Sequence, residues 1–190
     1  MSPVTHFLTG WTLANCAKLE PGDRIIVTLA CVAPDIDGLG IIPELLTRNS
    51  AHPVLWFTLY HHSLHTLLFA IVVTLFAFVL AKRKTTTALL TFLSFHIHLL
   101  EDVLGSRGPD GYQWPIPYLM PFSSRFNLAW RGEWGLNAWP NLVITMFLLL
   151  ITLWLAWKRG FSPIEMSSSK ADAVLVRALR QRFPRPTEIA

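Results

Sequence analysis

Charged side chains are scarce in this chain. Asp, Glu, Lys and Arg supply 15% of its 190 residues, where a soluble domain carries about a quarter, and that shortage argues against both disorder and an ordinary water-soluble globule. Cysteine is scarcer still. Two residues, Cys16 and Cys31, cannot staple a small secreted scaffold; set about one turn on helices whose axes pack ~8–10 Å apart, they suit burial rather than a disulfide. Internal repeats and low-complexity tracts are lacking, and the first apolar run lacks the flanks of a cleavable signal. No Gly-x-Ser-x-Gly elbow or Ser-His-Asp order offers a serine nucleophile. What remains is apolar: 52% of the residues are hydrophobic, which at this length points to one compact membrane-embedded unit.

The apolar residues are gathered into segments. Residues 141–157 carry no charge and stop at Lys158 and Arg159, as a membrane-spanning helix does. A second segment starts near Val54, passes a histidine-rich turn at 60–65 and stops at Lys82, Arg83 and Lys84. Residues 85–104 form a third, apolar until His96, His98, Glu101 and Asp102, with Gly105 as its C-terminal cap. Residues 4–16 and 25–32 read as two shorter helices joined by a turn containing Pro21 and Gly22. At ~1.5 Å per residue neither crosses ~30 Å of hydrocarbon, so a tilted or partly inserted hairpin is expected. The expected fold is all-α, an integral membrane bundle of about five helices under a Trp/Pro/Gly-rich loop at 105–139. Residues 1–164 form the membrane-embedded domain, and 165–190 a basic tail whose amphipathic helix, 169–182, carries Val174, Leu175 and Leu179 on one face. That face suits an anionic membrane surface better than nucleic acid.

Alternating the helices up and down separates the charges. The side with the turns at 18–24 and 82–84 and the tail holds twelve basic residues against five acidic, or +7. The other side holds four basic against seven acidic, or −3. Lys and Arg accumulate on the cytoplasmic side, so the tail is expected in the cytoplasm and the acidic side outside an inner membrane. All seven histidines, at 6, 52, 61, 62, 65, 96 and 98, fall on the acidic side.

Residues four apart share a helix face, so His61 with His65 and His98 with Asp102 each form a two-point chelate. His6, Asp35 and Asp37 join them at the same level. Imidazole and carboxylate together are ligands for zinc, with manganese the alternative. The plain reading of His52 and His96 is interhelical hydrogen bonding, and of Glu101 an outer or solvated position. For the whole set, ionisable groups at membrane depth are costly and usually functional, and a divalent cation relieves their mutual repulsion. A polar network or proton path is the metal-free alternative.

The same residues carry a family resemblance. His6, then Pro34-Asp35-Ile36-Asp37, then Tyr60-His61-His62-Ser63-Leu64-His65-Thr66, then His98 and Asp102 followed by a loop at 108–115 resemble, in order, the motifs of the YdjM-like, LexA-regulated membrane proteins described as metal-dependent hydrolases. Ile97 stands where that pattern has serine. The histidine motif lacks its arginine and final serine and is one residue shorter between its outer histidines, which leaves both His61 and His62 as partners for His65. The resemblance covers residues 5–118 and implies an inner-membrane hydrolase with a bound metal. The ligand order is also similar to part of that in zinc phospholipase C and nuclease P1; their further His and His-x-x-x-Glu have no counterpart after residue 105, which favours one or two ions over three.

The expectation is therefore a membrane-bound metal-dependent hydrolase of a phosphoester or lipid-like substrate at the outer interface. His6, Asp35, Asp37, His61, His65, His98 and Asp102 are the candidate ligands, and whichever of Asp35 and Asp37 is not a ligand is the candidate general base. Helix rise places this level ~25 Å from the basic turn, where a lipid headgroup can reach it. Arg107, Arg125 and Arg131 are candidates to receive an anionic headgroup, and Trp114, Trp130, Trp134 and Trp139 fit an aromatic belt. The rivals are a metal or proton transporter, which requires polar residues continuing to the other face, and a non-catalytic scaffold with a structural metal. The runs at 67–81 and 141–157 show no such continuation.

Overall fold

The computed structural model describes residues 1–184. These residues form eight α-helices and two short 3-10 helices, with no strand among them. The bundle holds α1 (Pro3–Ala14), α2 (Pro21–Ala30), α5 (Leu67–Leu80), α6 (Lys84–Gly105) and α7 (Trp139–Arg159). The all-α expectation holds, the described helices number eight rather than about five, and the segment expected from near Val54 is helical as α5 only from Leu67. The short helix α3 (Ile41–Thr47) was not foreseen, and α4 (Trp56–Tyr60) is the first part of the segment expected from near Val54, separated from α5 by the histidine turn. A 3-10 helix, Ala33–Gly40, replaces the simple end expected for the second helix, and another spans Pro163–Met166. The tail helix, α8, is Ser169–Arg182. Arg185 and Glu188 of the charge count lie outside the described residues.

Helix boundaries follow from capping chemistry. Ser2 caps α1 by accepting from the Thr5 N–H at 3.2 Å, with Pro3 in the first turn. Pro21 begins α2 rather than sitting in the preceding turn; proline has no N–H to lose at the first helical position and its φ is already helical. Thr66 caps α5 through the Phe69 N–H at 3.2 Å. Gly160 ends α7 at φ 87°, left-handed backbone that glycine adopts freely, just beyond Lys158 and Arg159 in the last turn.

α6 is the central element, packing against α1, α2 and α5, while α7 packs on α1. Phe95 and Leu99 of α6 are buried with Ala70 of α5 and Ile116 of the long loop, so the loop is rooted in the core beside α6. Asn141, at the start of α7, fastens the same loop: its amide donates to the carbonyls of Gly105 and Leu136, each at 2.8 Å, and accepts from Trp134 Nε1 at 2.7 Å. At the opposite end, the Asp23 carboxylate accepts from the backbone N–H groups of Lys82 and Arg83 at 3.0 and 2.9 Å. Arg24 forks onto Glu165 at 2.7–3.0 Å and lies 3.9 Å from the Phe161 ring centroid. Asp172 of α8 accepts from Ser162 N and Oγ at 2.7 and 2.5 Å, which docks the tail helix on the bundle.

α6 and α7 are long and apolar enough to cross a membrane; α2 with Ala33–Thr47, bent by 52°, makes a third if counted as one broken span. The 14 residues of α5 reach about 21 Å, short of ~30 Å of hydrocarbon. Exposed Leu75, Phe76, Val79, Leu142, Phe147 and Leu150 cover the outer faces of α5 and α7, surfaces that lipid rather than water would favour.

Candidate metal centre

Four elements bring their polar groups to one end of the bundle. His6 comes from the first turns of α1, His98 and Asp102 from the last turns of α6, Asp35 from the 3-10 helix and His65 from the turn before α5. Each offers an atom to one small space. His98 Nε2 lies 3.0 Å from Asp102 Oδ2, 3.1 Å from His65 Nε2 and 3.8 Å from Asp35 Oδ1. His6 Nε2 lies 3.2 Å from Asp102 Oδ1 and 4.0 Å from Asp35 Oδ2. His65 Nε2 stands 3.4 Å from Asp102 Oδ2 and 3.9 Å from Asp35 Oδ1.

Single atoms of His6, Asp35, His98 and Asp102 all fall within 4.8 Å of one another, a group able to hold a metal ion. Bonds of about 2.1 Å in a tetrahedron separate neighbouring ligand atoms by roughly 3.4 Å, in the middle of the observed range. His6 Nε2 and Asp35 Oδ2 are buried with no hydrogen-bond partner, a costly state that coordination would relieve. The residues therefore fit a divalent cation, with His65 as an adjacent fifth donor. The Met1 amino group also pairs with Asp102.

A second ring of acceptors orients the imidazoles. His6 Nδ1 donates to Glu101 Oε2 at 2.6 Å, and Glu101 Oε1 accepts from Thr9 Oγ1 at 2.6 Å. His98 Nδ1 donates to the Cys31 carbonyl at 2.8 Å. Behind His65, Nδ1 lies 3.4 Å from Asp37 Oδ2, and Asp37 accepts from the Leu64 N–H at 3.0 Å and from His61 Nδ1 at 3.2 Å. Fixing Nδ1 as the protonated nitrogen turns the Nε2 lone pair inward, the arrangement that carboxylates and carbonyls impose on metal-binding histidines.

The turn carrying His61, His62 and His65 is not helical. His61 has ψ 133° and His62 a left-handed φ of 76°, so the four-residue spacing of His61 and His65 is not what aims them. His65 reaches the centre because its turn closes on itself, His65 N–H to His62 C=O at 3.2 Å, and on Asp37 through Leu64. His61 is held by Asp37 outside the group of five. Burial lowers the His62 imidazole to about 3, with the charges of His65 and His61 adding to the effect. His65 is also pulled down by burial, but hydrogen bonding and charge from Asp102 and Asp37 outweigh this and raise it to about 9.

A cavity of about 640 Å³ opens over the centre, bordered by Asp35, Asp102, His61, His62, Phe57 and Trp114 among others. Arg107, Arg125 and Arg131 do not line it; Arg107 instead donates to the Arg131 carbonyl at 3.1 Å. His52 is exposed. His96 is hydrogen-bonded but not between helices: Nδ1 donates to the Phe92 carbonyl of its own helix at 2.7 Å and Nε2 pairs with the Tyr118 hydroxyl of the long loop at 2.8 Å.

Three features were missed from sequence. Glu101 takes the outer position expected of it, but its partner was not foreseen: the contact to His6 crosses 95 residues, and its one local signal was a second acid beside Asp102. The Cys31 carbonyl is backbone and leaves no sequence signal. Thr87, Thr91, Ser94 and His98, spaced by four, three and four, are all fully buried, so the inner face of α6 is polar along most of its length, although the apolar runs of α5 and α7 show no such continuation.

No curated protein and no solved structure matches the chain. The family described as YdjM inner membrane protein matches residues 1–175, a span that includes every residue of the centre. The chain belongs to the YdjM inner membrane protein family.

Proposed function

We propose that the protein is a membrane-bound metal-dependent hydrolase acting on a phosphoester in a lipid-like substrate at the outer membrane interface. The observation that carries this reading is the convergence of three imidazole Nε2 atoms and two carboxylates, with the Nδ1 atoms of His6 and His98 bonded from behind, beneath an open cavity. A donor set of three nitrogens and two carboxylates favours zinc, with manganese the alternative. Such an ion activates water near neutral pH and stabilises developing phosphoryl charge. The chain's own residues do the rest. His6, His65, His98, Asp35 and Asp102 hold the ion; Glu101 and the Cys31 carbonyl fix His6 and His98; Asp37 keeps His65 and His61 in place. Asp35, 20% exposed on its side chain against 7% for Asp102, is the more open of the two carboxylates of the centre that border the cavity.

Lipid-like substrates suit the surroundings. Leu39 borders both the cavity over the centre and an apolar groove of about 620 Å³ lined by Ile36, Pro43, Trp56, Tyr60 and Leu64, which gives a headgroup and an acyl chain adjoining places. The charge partition favours the centre facing outward and the tail in the cytoplasm. The test is to purify the protein in detergent, measure bound metal, and assay phosphodiester and phospholipid cleavage beside Asp102→Ala and His98→Ala. Metal-dependent cleavage lost in both variants supports the reading. Bound metal without cleavage favours a structural metal, and no bound metal removes the proposal.

One observation favours a second reading, a metal or proton transporter. The Thr87 and Thr91 hydroxyls on the buried face of α6 lack hydrogen-bond partners among the described residues, which continues polar groups from the centre along α6, as the transporter reading requires. Zinc or proton flux into proteoliposomes that falls in Thr91→Val would support it; hydrolysis without flux would exclude it.

A further inference from the structure

We propose that the cavity over the metal centre selects a lipid headgroup bearing a cationic amine. This rests on the hydrolase reading above and specifies its substrate. The walls are the first observation. Phe57 and Trp114 rings lie 6.0 Å apart at 64°; the His61 ring stacks on Phe57 at 4.5 Å and meets Trp114 edge-on at 5.4 Å and 81°. Three ring systems thus enclose one corner of the cavity, and Tyr112 backs Trp114 at 5.4 Å and 89°. Ring faces carry negative potential, with tryptophan the strongest attractor of ammonium groups.

Charge is the second observation. No lysine or arginine is among the described residues lining the cavity; its one cationic group is the Met1 amino terminus, paired with Asp102, and beyond Asp35 and Asp102 its charged side chain is Asp110. A metal ion satisfies the first two carboxylates, which leaves the mouth with the Asp110 charge alone. Anionic headgroups would meet Asp110 at the mouth, with the Met1 ammonium already engaged by Asp102 and no arginine in the lining, at variance with the headgroup role expected of Arg107, Arg125 and Arg131. A zwitterionic phosphoester matches both ends: its phosphate faces the cation and its ammonium faces Trp114 and Asp110.

His62 is the third. It is 5% exposed, borders the cavity and touches the rings of His61, His65 and Trp114 at 4.3, 4.5 and 5.9 Å, without a hydrogen bond to its own ring among the described residues. Its backbone is held at φ 76°, where a non-glycine residue is strained and such strain collects at ligand sites. A buried imidazole with unpaired nitrogens, set between the centre and Trp114, can accept from an ammonium N–H or donate to the bridging ester.

The test uses full-length, zinc-loaded protein in detergent with two readouts. Calorimetry compares choline and ethanolamine with 3,3-dimethylbutanol, the uncharged shape match of choline. Cleavage is compared on micelles of short-chain lipids with matched acyl chains and choline, ethanolamine or glycerol headgroups. Wild type is expected to prefer the ammonium ligands and headgroups by on the order of tenfold. Asp110→Asn and Trp114→Leu are expected to erase most of that preference while retaining wild-type zinc content, since neither residue belongs to the metal group. Equal binding of choline and 3,3-dimethylbutanol, or equal cleavage of all three headgroups, overturns the proposal and leaves the hydrolase reading standing. Ammonium preference in binding without cleavage of any lipid supports the pocket and overturns the hydrolase reading.

Discussion

Replacing Glu101 measures how much the centre depends on a residue that is not a ligand. Its carboxylate accepts from His6 Nδ1 and from Thr9 Oγ1, both at 2.6 Å, and is buried beside Asp102. In Glu101→Ala, His6 loses the group that fixes its orientation and its tautomer, and a buried N–H loses its acceptor. Loss of such an outer partner costs about 10–100-fold in metal affinity, or ~1.4–2.7 kcal/mol. Glu101→Gln retains a carbonyl acceptor without the charge, so it belongs at the lower end, near tenfold. Thr9→Val removes one of the two bonds to Glu101 and should cost only a few-fold. The assay is zinc competition against a chelator of known affinity, on detergent-purified protein at fixed pH, with His6→Ala as the reference for loss of a ligand. Affinity of Glu101→Ala within twofold of wild type, while His6→Ala is strongly weakened, would refute the positioning role. Wild-type affinity in His6→Ala would remove His6 from the centre.

Two further outcomes can be checked on the same preparation. Because His65 holds its proton to about 9 when metal-free, against an unfolded value near 6.5, its ion pairs stabilise the metal-free fold below pH 6.5 and that contribution fades as pH rises through 9. Burial also pulls His6 down, but Asp102 and Glu101 outweigh it and raise His6 to about 9. Zinc must displace both protons, so apparent affinity should rise up to about a hundredfold per pH unit between 7 and 9 and then level; a flat profile would place the protons elsewhere. Gly105→Ala should loosen the long loop, since a Cβ there would collide with the Trp134 indole and lie 2.6 Å from Asn141 Oδ1. With the buried Asn141 bonds strained or broken, a loss of about 1–3 kcal/mol is expected, read as a lower melting temperature and earlier proteolysis between residues 106 and 138.

Much of the site's membership was legible because its chemistry is rare in an apolar chain. His98 and Asp102 share a true helix, so four-residue spacing describes them correctly. The same rule misdescribes His61 and His65, because α4 ends at Tyr60 and the chain turns through a left-handed His62; periodicity carries no information about a turn. Asp35 and Asp37 were recognisable as a pair, yet their division, one facing the centre and one behind His65, depends on the three-residue turn of a 3-10 helix, which points residues two apart in different directions. Apolar length located α6 and α7 well, whereas α3 lies in a segment without a long apolar period, and α4 falls inside the apolar segment that starts near Val54, which the histidine turn splits from α5.

Partner chemistry separates the acids of the two ends. At the basic end Asp23 caps backbone N–H groups, Glu165 is forked by Arg24, and Asp172 binds Ser162; each is satisfied without a cation from outside. At the histidine end, Asp35, Asp37, Glu101 and Asp102 crowd around His6, His61, His65 and His98; among the described residues no lysine or arginine side chain pairs with any of them, and one cation, the Met1 amino group, meets Asp102. Such a cluster holds excess negative charge unless a divalent ion enters. Removing one charge should therefore stabilise the metal-free protein while destroying its response to metal, the trade between stability and function found at active sites. Asp35→Asn is the variant of choice, since Asp35 Oδ2 is buried without a hydrogen-bond partner and Asn preserves its shape. In chelator its melting temperature should exceed wild type by about 2–4 °C for each kcal/mol gained. Zinc at 100 times its dissociation constant should add ~2.7 kcal/mol to wild type and far less to the variant. A variant less stable than wild type in chelator, yet stabilised equally by zinc, would show that Asp35 serves the fold and not the metal.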